Sequence, residues 1–461
     1  MSDSSPPEKM SLIEMRATAG LAVVYGLRML GMFIILPVFA FYAENLPGEN
    51  NYTLIGIALG AYGLTQAILQ IPFGWLSDRI GRKPVIYFGL ILFAVGSFIA
   101  ASADNIYWII LGRIVQGSGA ISAAIMALAA DLTREEHRTK AMASIGMTIG
   151  TVFALSLIIA PTLNRLIGVP GIFIMTGMLA LLAILVVYKI IPNPQLCRFH
   201  SDTEAAPGRF VNVLQDSELL RLNFGVFTLH ATLMALWLII PVSLRKTGLE
   251  IDDHWQIYLP VLFISMLLII PVIIYSERKV KLKPVFSIAV FILLVSQVLL
   301  TFTLDSISGM VFALLVFFTA FNLLEASLPS LISKISPVGA KGTAIGIYSS
   351  IQFLGTFTGA TAGGYLYEYY GSSALFAFCG ALLALWLVLA ITMKAPAAVR
   401  TKMYQVKEME VGKANQLSQM LASVNGVHEA LVLANERVAY LKVDINGFDK
   451  TKVVQILEGE V

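Results

Sequence analysis

The chain has 461 residues, 57% of them apolar and only 13% charged, with a formal net charge of +3. Soluble domains carry roughly twice that charged fraction, so this composition, at a mean hydropathy of +0.78, excludes a soluble protein and defines a polytopic membrane protein. The basic residues cluster in loops, where they have a topogenic explanation, and give no argument for a nucleic-acid partner.

Met1 to Met10 are polar and include Pro6 and Pro7, so no cleaved signal peptide is expected, and 1–16 reads as a cytoplasmic tail. Apolar runs predict helices near 17–42, 53–76, 85–103, 106–130, 140–167 and 170–191, each long enough to cross a bilayer, which form a first bundle over 17–191. A polar linker at 192–218 carries Pro192, Pro194 and Pro207 as breakers. Six more runs near 219–244, 256–275, 284–304, 307–333, 342–367 and 371–393 form a second bundle over 219–393. Cys197 lies in the linker and Cys379 in an apolar helix, so the pair makes neither a disulfide framework nor a metal site.

Loop charges set the orientation. Lys9, Arg16, Arg79, Arg82, Lys83, Arg134, Arg138, Lys140, Arg198, Arg278, Lys279, Lys281, Lys283, Lys334, Lys341 and Lys394 fall on one side. The other side has Arg165, Arg245 and Lys246 beside acids such as Glu44, Glu49, Asp252 and Asp253, so both termini are expected in the cytoplasm. The halves echo each other: Ser77-Asp78-Arg79 through Pro84 answers to Ser276-Glu277-Arg278 through Pro284, and Arg138-Thr139-Lys140-Ala141 to Lys341-Gly342-Thr343-Ala344. A parallel repeat of this kind puts a binding site between the halves near mid-membrane.

Gly74-Trp75-Leu76-Ser77-Asp78-Arg79-Ile80-Gly81-Arg82-Lys83-Pro84 is a knot of charge and glycine between two long apolar runs. Gly74 and Gly81 allow close approach or positive φ, and Pro84 suits the first turn of the next helix. Asp78, near the C-terminal end of its own helix, needs a compensating partner. The ordered string resembles the signature loop between the second and third helices of the major facilitator superfamily. The resemblance implies a twelve-helix secondary transporter working by alternating access. In it the aspartate bridges the two halves at the N-terminal end of the eleventh helix, with Arg79 and Arg82 as charge partners. Asp131, at the end of the fourth helix, is placed to pair with Arg82, giving a conformational latch of Gly74, Asp78, Arg79, Gly81, Arg82 and Asp131.

After the 394–402 linker, residues 403–461 carry ordinary charge. Met403 to Met409, Val427 to Leu433 and Val438 to Asp444 read as strands, the last two around an Asn435-Glu436 turn. Asn415 to Val424 and Lys450 to Leu457 read as helices, with Leu417, Met420, Leu421 and Val424 at helical spacing. The order βαββα resembles a ferredoxin-like fold similar to small metallochaperone domains. No cysteine occurs there, so copper or zinc held by thiolate is rejected, and His428 reads as a surface residue. The pairing of this domain with twelve helices resembles the YajR-type transporters of bacterial inner membranes. Leu27-Arg28-Met29-Leu30-Gly31-Met32, Leu64-Thr65-Gln66-Ala67 and Ser118-Gly119-Ala120 also look like that group. An exposed sheet edge would allow weak self-association of the domain.

Charge inside a membrane is expensive and invites a functional reading. Arg28, Arg113, His230 and Glu325 fall within the first, fourth, seventh and tenth helices, which line the central cavity in the resembled fold. Glu325 is the carboxylate read as proton-coupling acid, with Arg28 or Arg113 as its modulator. Arg113 opens Arg113-Ile114-Val115-Gln116-Gly117-Ser118-Gly119, which resembles the family's fourth-helix motif associated with proton translocation. His230 is a lone histidine on an apolar helix, where packing is its ordinary role. Gln66, Gln70, Asn322, Tyr348 and Gln352, with Tyr62, stand at helical spacing and serve either as substrate contacts or as glue between helices. One motif is missing: where drug antiporters carry a glycine-rich fifth-helix run, this chain reads Ile159-Ala160-Pro161-Thr162-Leu163.

The expectation is therefore a proton-coupled secondary transporter, an exporter or antiporter of small molecules, with a cytosolic regulatory domain and no cofactor beyond the proton gradient. A transceptor, whose soluble domain gates the membrane part, and an uncoupled facilitator are the alternatives. An enzyme is not expected, because no nucleophile–base pair, nucleotide loop or metal spacing occurs.

Overall fold

The computed structural model describes residues 10–47, 51–193, 210–278, 282–337, 340–394, 399–407, 409–434, 437–444 and 447–459. The middle of the polar linker with Cys197, and the Asn435-Glu436 turn, lie outside the described residues, as do the side chains of Ser276, Glu277 and Arg278.

The first half contains α1 (Leu12–Phe33), α2 (Phe39–Glu44), α3 (Tyr52–Ile80), α4 (Arg82–Ala101), α5 (Ile106–Ser118), α6 (Ser122–Asp131) and α7 (Glu135–Lys189). The second contains a short α8 (Phe210–Gln215), then α9 (Ser217–Lys246), α10 (Trp255–Arg278), α11 (Leu282–Thr303), α12 (Ile307–Ile335) and α13 (Lys341–Thr392). α5 and α6 make one crossing interrupted at 119–121, and α1 continues through a loose turn into α2. α7 and α13 are each too long for one crossing. Each turns back at a glycine of positive φ, Gly168 at 67° and Gly371 at 79°. Among the described residues that makes twelve crossings, six in each half, as the apolar runs predict.

Side-chain placement follows from a low-polarity solvent. Phe302, Phe263, Ile264, Leu267, Leu182 and Leu185 are exposed on the helix exteriors, where lipid meets them. α9 is the opposite case: every residue from Thr228 to Leu244 is buried, including Trp237, so this helix runs through the interior of the second half.

The face bearing the 74–84 loop is called the loop face, and its opposite the far face. The halves meet along a glycine seam between α3 and α13. Gly56, Gly60 and Gly63 lie against the backbone of Ala360, Phe357 and Phe353, and Gly364 lies against Tyr52, so closely that a Cβ at Gly56 or Gly364 would overlap a carbonyl oxygen. From Tyr52 to Gly63 the seam spans roughly 16 Å of helix axis. Its far end is fastened by Tyr52, whose N–H donates to Glu368 at 2.8 Å and whose ring meets Tyr367 edge-on at 4.5 Å. Arg245 reaches Glu44 at 4.0 Å and Phe41 packs on His254. Nearer the loop face, Gly74 packs instead against Ala123 of its own half. The far face is closed in this conformation.

The C-terminal segment forms β1 (Val399–Gln405), α14 (Val411–Ala422), β2 (Val427–Leu433), β3 (Val438–Asp444) and α15 (Lys450–Gly459). The strands run in the order β1-β3-β2, both pairings antiparallel, with Val399 opposite Asp444 and Gln405 opposite Val438. The βαββα order is the expected one. The first strand begins four residues earlier than the sequence suggests, because pairing with β3 draws the polar stretch from Arg400 to Lys402 into the sheet. Lys442 of β3, 8% exposed, donates from Nζ to the carbonyls of Ser336 at 2.5 Å and Ile335 at 3.4 Å. The domain thus rests on the C-terminal end of α12, where the helix leaves carbonyls unpaired and favours a cation.

Candidate functional site

At the loop face Gly81 holds φ 97° and is the only residue between α3 and α4. This sharp turn puts Arg82 in the first turn of α4, pointing back under α3. Its guanidinium donates to Asp131 Oδ2 at 3.1 Å, to Ser77 Oγ at 3.0 Å and to the Asp78 carboxylate. The Arg82 and Asp131 side chains are almost fully buried, whereas Asp78 keeps 27% exposure. Two carboxylates around one guanidinium offset its desolvation. Gly74 contributes its carbonyl to Ser77 Oγ. Arg79 lies apart from this cluster, stacked 3.7 Å over the Trp75 ring. Five of the six latch residues therefore meet around Arg82, and Arg79 does not join them.

A second loop-face pair was not foreseen. Ser11 and Glu14 form a capping box at the start of α1, ahead of the apolar run that begins at Ala17. Glu14 also accepts from the Arg134 backbone at 2.8 Å and its side chain at 3.2 Å, tying α1 to the start of α7. Burial raises the carboxyl pKa, but these bonds outweigh it and hold the group down at about 2. The Ser11-x-x-Glu14 spacing was the available sequence signal.

Within the membrane the candidate residues separate into two groups. In the first half Arg28 on α1, 1% exposed, donates from Nη1 to Ser122 Oγ at 2.8 Å. Arg113 on α5, 2% exposed, donates to Gln116 Oε1 at 2.6 Å and stands 4.9 Å from the Tyr62 ring centroid. Gln116 passes the chain on to Ser97 at 2.9 Å. Gln66 donates its amide to the Gly117 carbonyl at 2.6 Å, which fixes α3 against α5. Gln70 is buried beside it.

In the second half His230 on α9 is the centre. Its Nδ1 lies 3.1 Å from the Val226 carbonyl and its Nε2 lies 2.7 Å from the Gln352 amide nitrogen on α13. With the Gln352 N–H turned toward Nε2 that nitrogen accepts and Nδ1 donates to the Val226 carbonyl; with the amide turned over, Nε2 donates to the Gln352 oxygen instead. Glu325 Oε2 on α12 stands 3.6 Å from the same Nε2, with 37% of its side chain exposed. The Tyr348 hydroxyl, on α13 one turn before Gln352, is buried without a hydrogen-bond partner. Asn322 donates to Ser265 at 3.0 Å and joins α12 to α10, the glue role. The neighbour of Glu325 is thus His230, and not Arg28 or Arg113. The reason is topological: α9, α12 and α13 share a half, whereas both arginines belong to the other.

Paired bundles closed at one face, with ionisable groups between their helices, are the architecture of a membrane transporter. The sequence profile described as Major Facilitator Superfamily matches residues 21–275 and 222–415, and the chain belongs to that family. It is 42% identical over 449 residues to the inner membrane transport protein YajR of Escherichia coli K12, covering 97% of this chain and 98% of that one. It is 26% identical over 350 residues to the multidrug resistance protein MdtH of Aeromonas hydrophila, covering 74% and 85%. Among solved structures, a bacterial homologue of the human lysosomal transporter Spinster, in an inward-facing and occupied conformation, superposes with a TM-score of 0.67 at 13% identity, covering 83% and 97%.

Proposed function

We propose that this transporter is a proton-coupled exporter of small molecules in the bacterial inner membrane, with both termini and the loop face in the cytoplasm. The positive loops support that orientation, and a far face closed by the glycine seam then makes this the inward-facing state. The names of the relatives, an inner membrane transport protein and a multidrug resistance protein, support export from that membrane.

The observation that carries the coupling is a carboxylate beside an imidazole, Glu325 Oε2 standing 3.6 Å from His230 Nε2. Unprotonated, the Glu325–His230 pair carries one negative charge, which resists occlusion in a low-dielectric interior. One proton cancels it. If the proton goes to Nε2, Gln352 rotates to present its oxygen, and the imidazolium faces Glu325 at ion-pair distance. If it goes to Glu325, the Gln352–His230 bond stays. Either way the loaded pair is neutral overall and the halves close over it at lower cost. In proteoliposomes Glu325→Gln is expected to abolish flux driven by an imposed pH gradient while substrate exchange without a gradient persists. Gradient-driven flux that survives would end this reading.

The contact of Lys442 with the end of α12, the helix that also bears Glu325, supports a regulatory role for the C-terminal domain. Deletion of 396–461 tests it: transport should continue with altered rate. Complete loss of transport in a correctly folded, inserted protein would favour a gating role instead.

A further inference from the structure

Arg28 and Arg113 are both buried in the membrane interior, and among the described residues neither has a carboxylate partner. Two unneutralised guanidiniums at such a site are costly and call for an anion. Their free atoms say which. Arg28 spends Nη1 on Ser122, and its Nε and Nη2 are buried without a partner. These two N–H groups lie along one edge of the guanidinium and present the parallel pair of donors that a carboxylate accepts bidentately. In the same half the Tyr62 hydroxyl, Arg113 Nε and the carbonyl oxygens of Gln66 and Gln70 are also buried and unpartnered. Arg113 stands 4.9 Å from the Tyr62 ring centroid, and Arg28 bonds Ser122 on the same interrupted crossing that carries Arg113, so α1, α3 and the α5–α6 crossing bring these groups into the first half together. The ring of Tyr62 meets Phe93 and Phe353 edge-on, an apolar wall beside the charged edge.

We propose that the substrates are small organic acids, and that the side-on edge of Arg28, with Arg113 and Tyr62 beside it, binds the substrate carboxylate. This builds on the transporter reading and adds the substrate class. The site lies in the first half and the proton pair in the second, so one bundle holds the anion and the other the proton. Tyr62 also touches Phe353 across the α3–α13 seam, so parting of the halves opens this pocket.

Three probes of matched shape and different charge test it on the purified full-length protein: benzoate, neutral benzamide and cationic benzamidine, with phenylphosphonate as the phosphoryl alternative. At tens of millimolar, benzoate is expected to raise the melting temperature by roughly 2 °C or more, and benzamide and benzamidine not to. Arg28→Gln should remove the benzoate shift, and Arg28→Lys, which keeps the charge but loses the forked edge, should at least halve it. A binding role further predicts that Arg28→Gln without probe melts no lower than the parent, since a buried unpaired charge is removed; a purely structural arginine would melt lower. Equal shifts from benzamide, a shift that survives Arg28→Gln, a shift from phenylphosphonate alone, or none from benzoate would each overturn the proposal. The probe series needs neither a variant nor a pH gradient, so its failure is separable from loss of coupling at Glu325.

Discussion

Filling the glycine seam should hold the far face open. Gly56→Val adds a Cβ and two methyl groups where the Cβ alone would overlap the Ala360 carbonyl oxygen. The Cβ at Gly56 meets Ala360 and Gly364, and Gly56 lies about 9 Å of helix axis from Tyr62. Overpacking of a close interface costs about 1–3 kcal/mol, which converts to roughly 5- to 150-fold in the ratio of far-closed to far-open molecules. The strain exists only while the seam is shut, so the whole cost falls on one conformer. Cysteines for spin labels at Asp104 and Asp305, on far-face loops of the two halves, read this ratio by electron–electron double resonance. The variant should move population from the short to the long distance. Gly146→Val is the control, because a Cβ at Gly146 meets nothing within 4 Å. A folded Gly56→Val protein with the parent distance distribution would show that the seam does not set closure.

Other substitutions probe the loop face and the appended domain. Asp78→Asn weakens the proposed latch but leaves Arg82 its Asp131 partner, so the same labels should report more far-closed protein; an unchanged distribution refutes the latch. Glu14 has its folded pKa depressed from 4.5 to about 2. Its contribution is therefore complete above pH 4.5 and fades as pH falls toward 2, and Glu14→Gln should flatten the melting temperature across that window. A parallel fall in parent and variant would contradict the assignment. Lys442→Met removes a charged donor from two carbonyls of the α12 end. Cleavage by added protease in the 394–398 segment should rise roughly tenfold, and an unchanged rate would mean the domain is held elsewhere.

The crossings were legible because a bilayer demands long apolar runs, and the charged loop because its residue order is dense. The closing surface was not. Gly56, Gly60, Gly63 and Gly364 carry no charge and break no helix, and what they touch depends on which helices the halves bring together. The same limit explains the pairing of Glu325. Periodicity puts His230, Glu325 and Gln352 on helices, but their meeting at one imidazole nitrogen depends on packing three helices whose residues lie up to 122 apart in sequence. Glu14 was hidden by its position in a short polar lead, although its capping spacing was there to be read. In the C-terminal domain the helices were found by their apolar stripe, whereas β1 was displaced, since Arg400, Thr401 and Lys402 take strand form only against β3.

The reversals at Gly168 and Gly371 each join two crossings through a single non-helical residue. A linkage so short has no slack. One rod of such a hairpin cannot slide past the other by a helical turn, about 5.4 Å, without tearing the joint. Piston-like travel of one rod against the other is therefore barred within these two hairpins, and each hairpin moves as a unit.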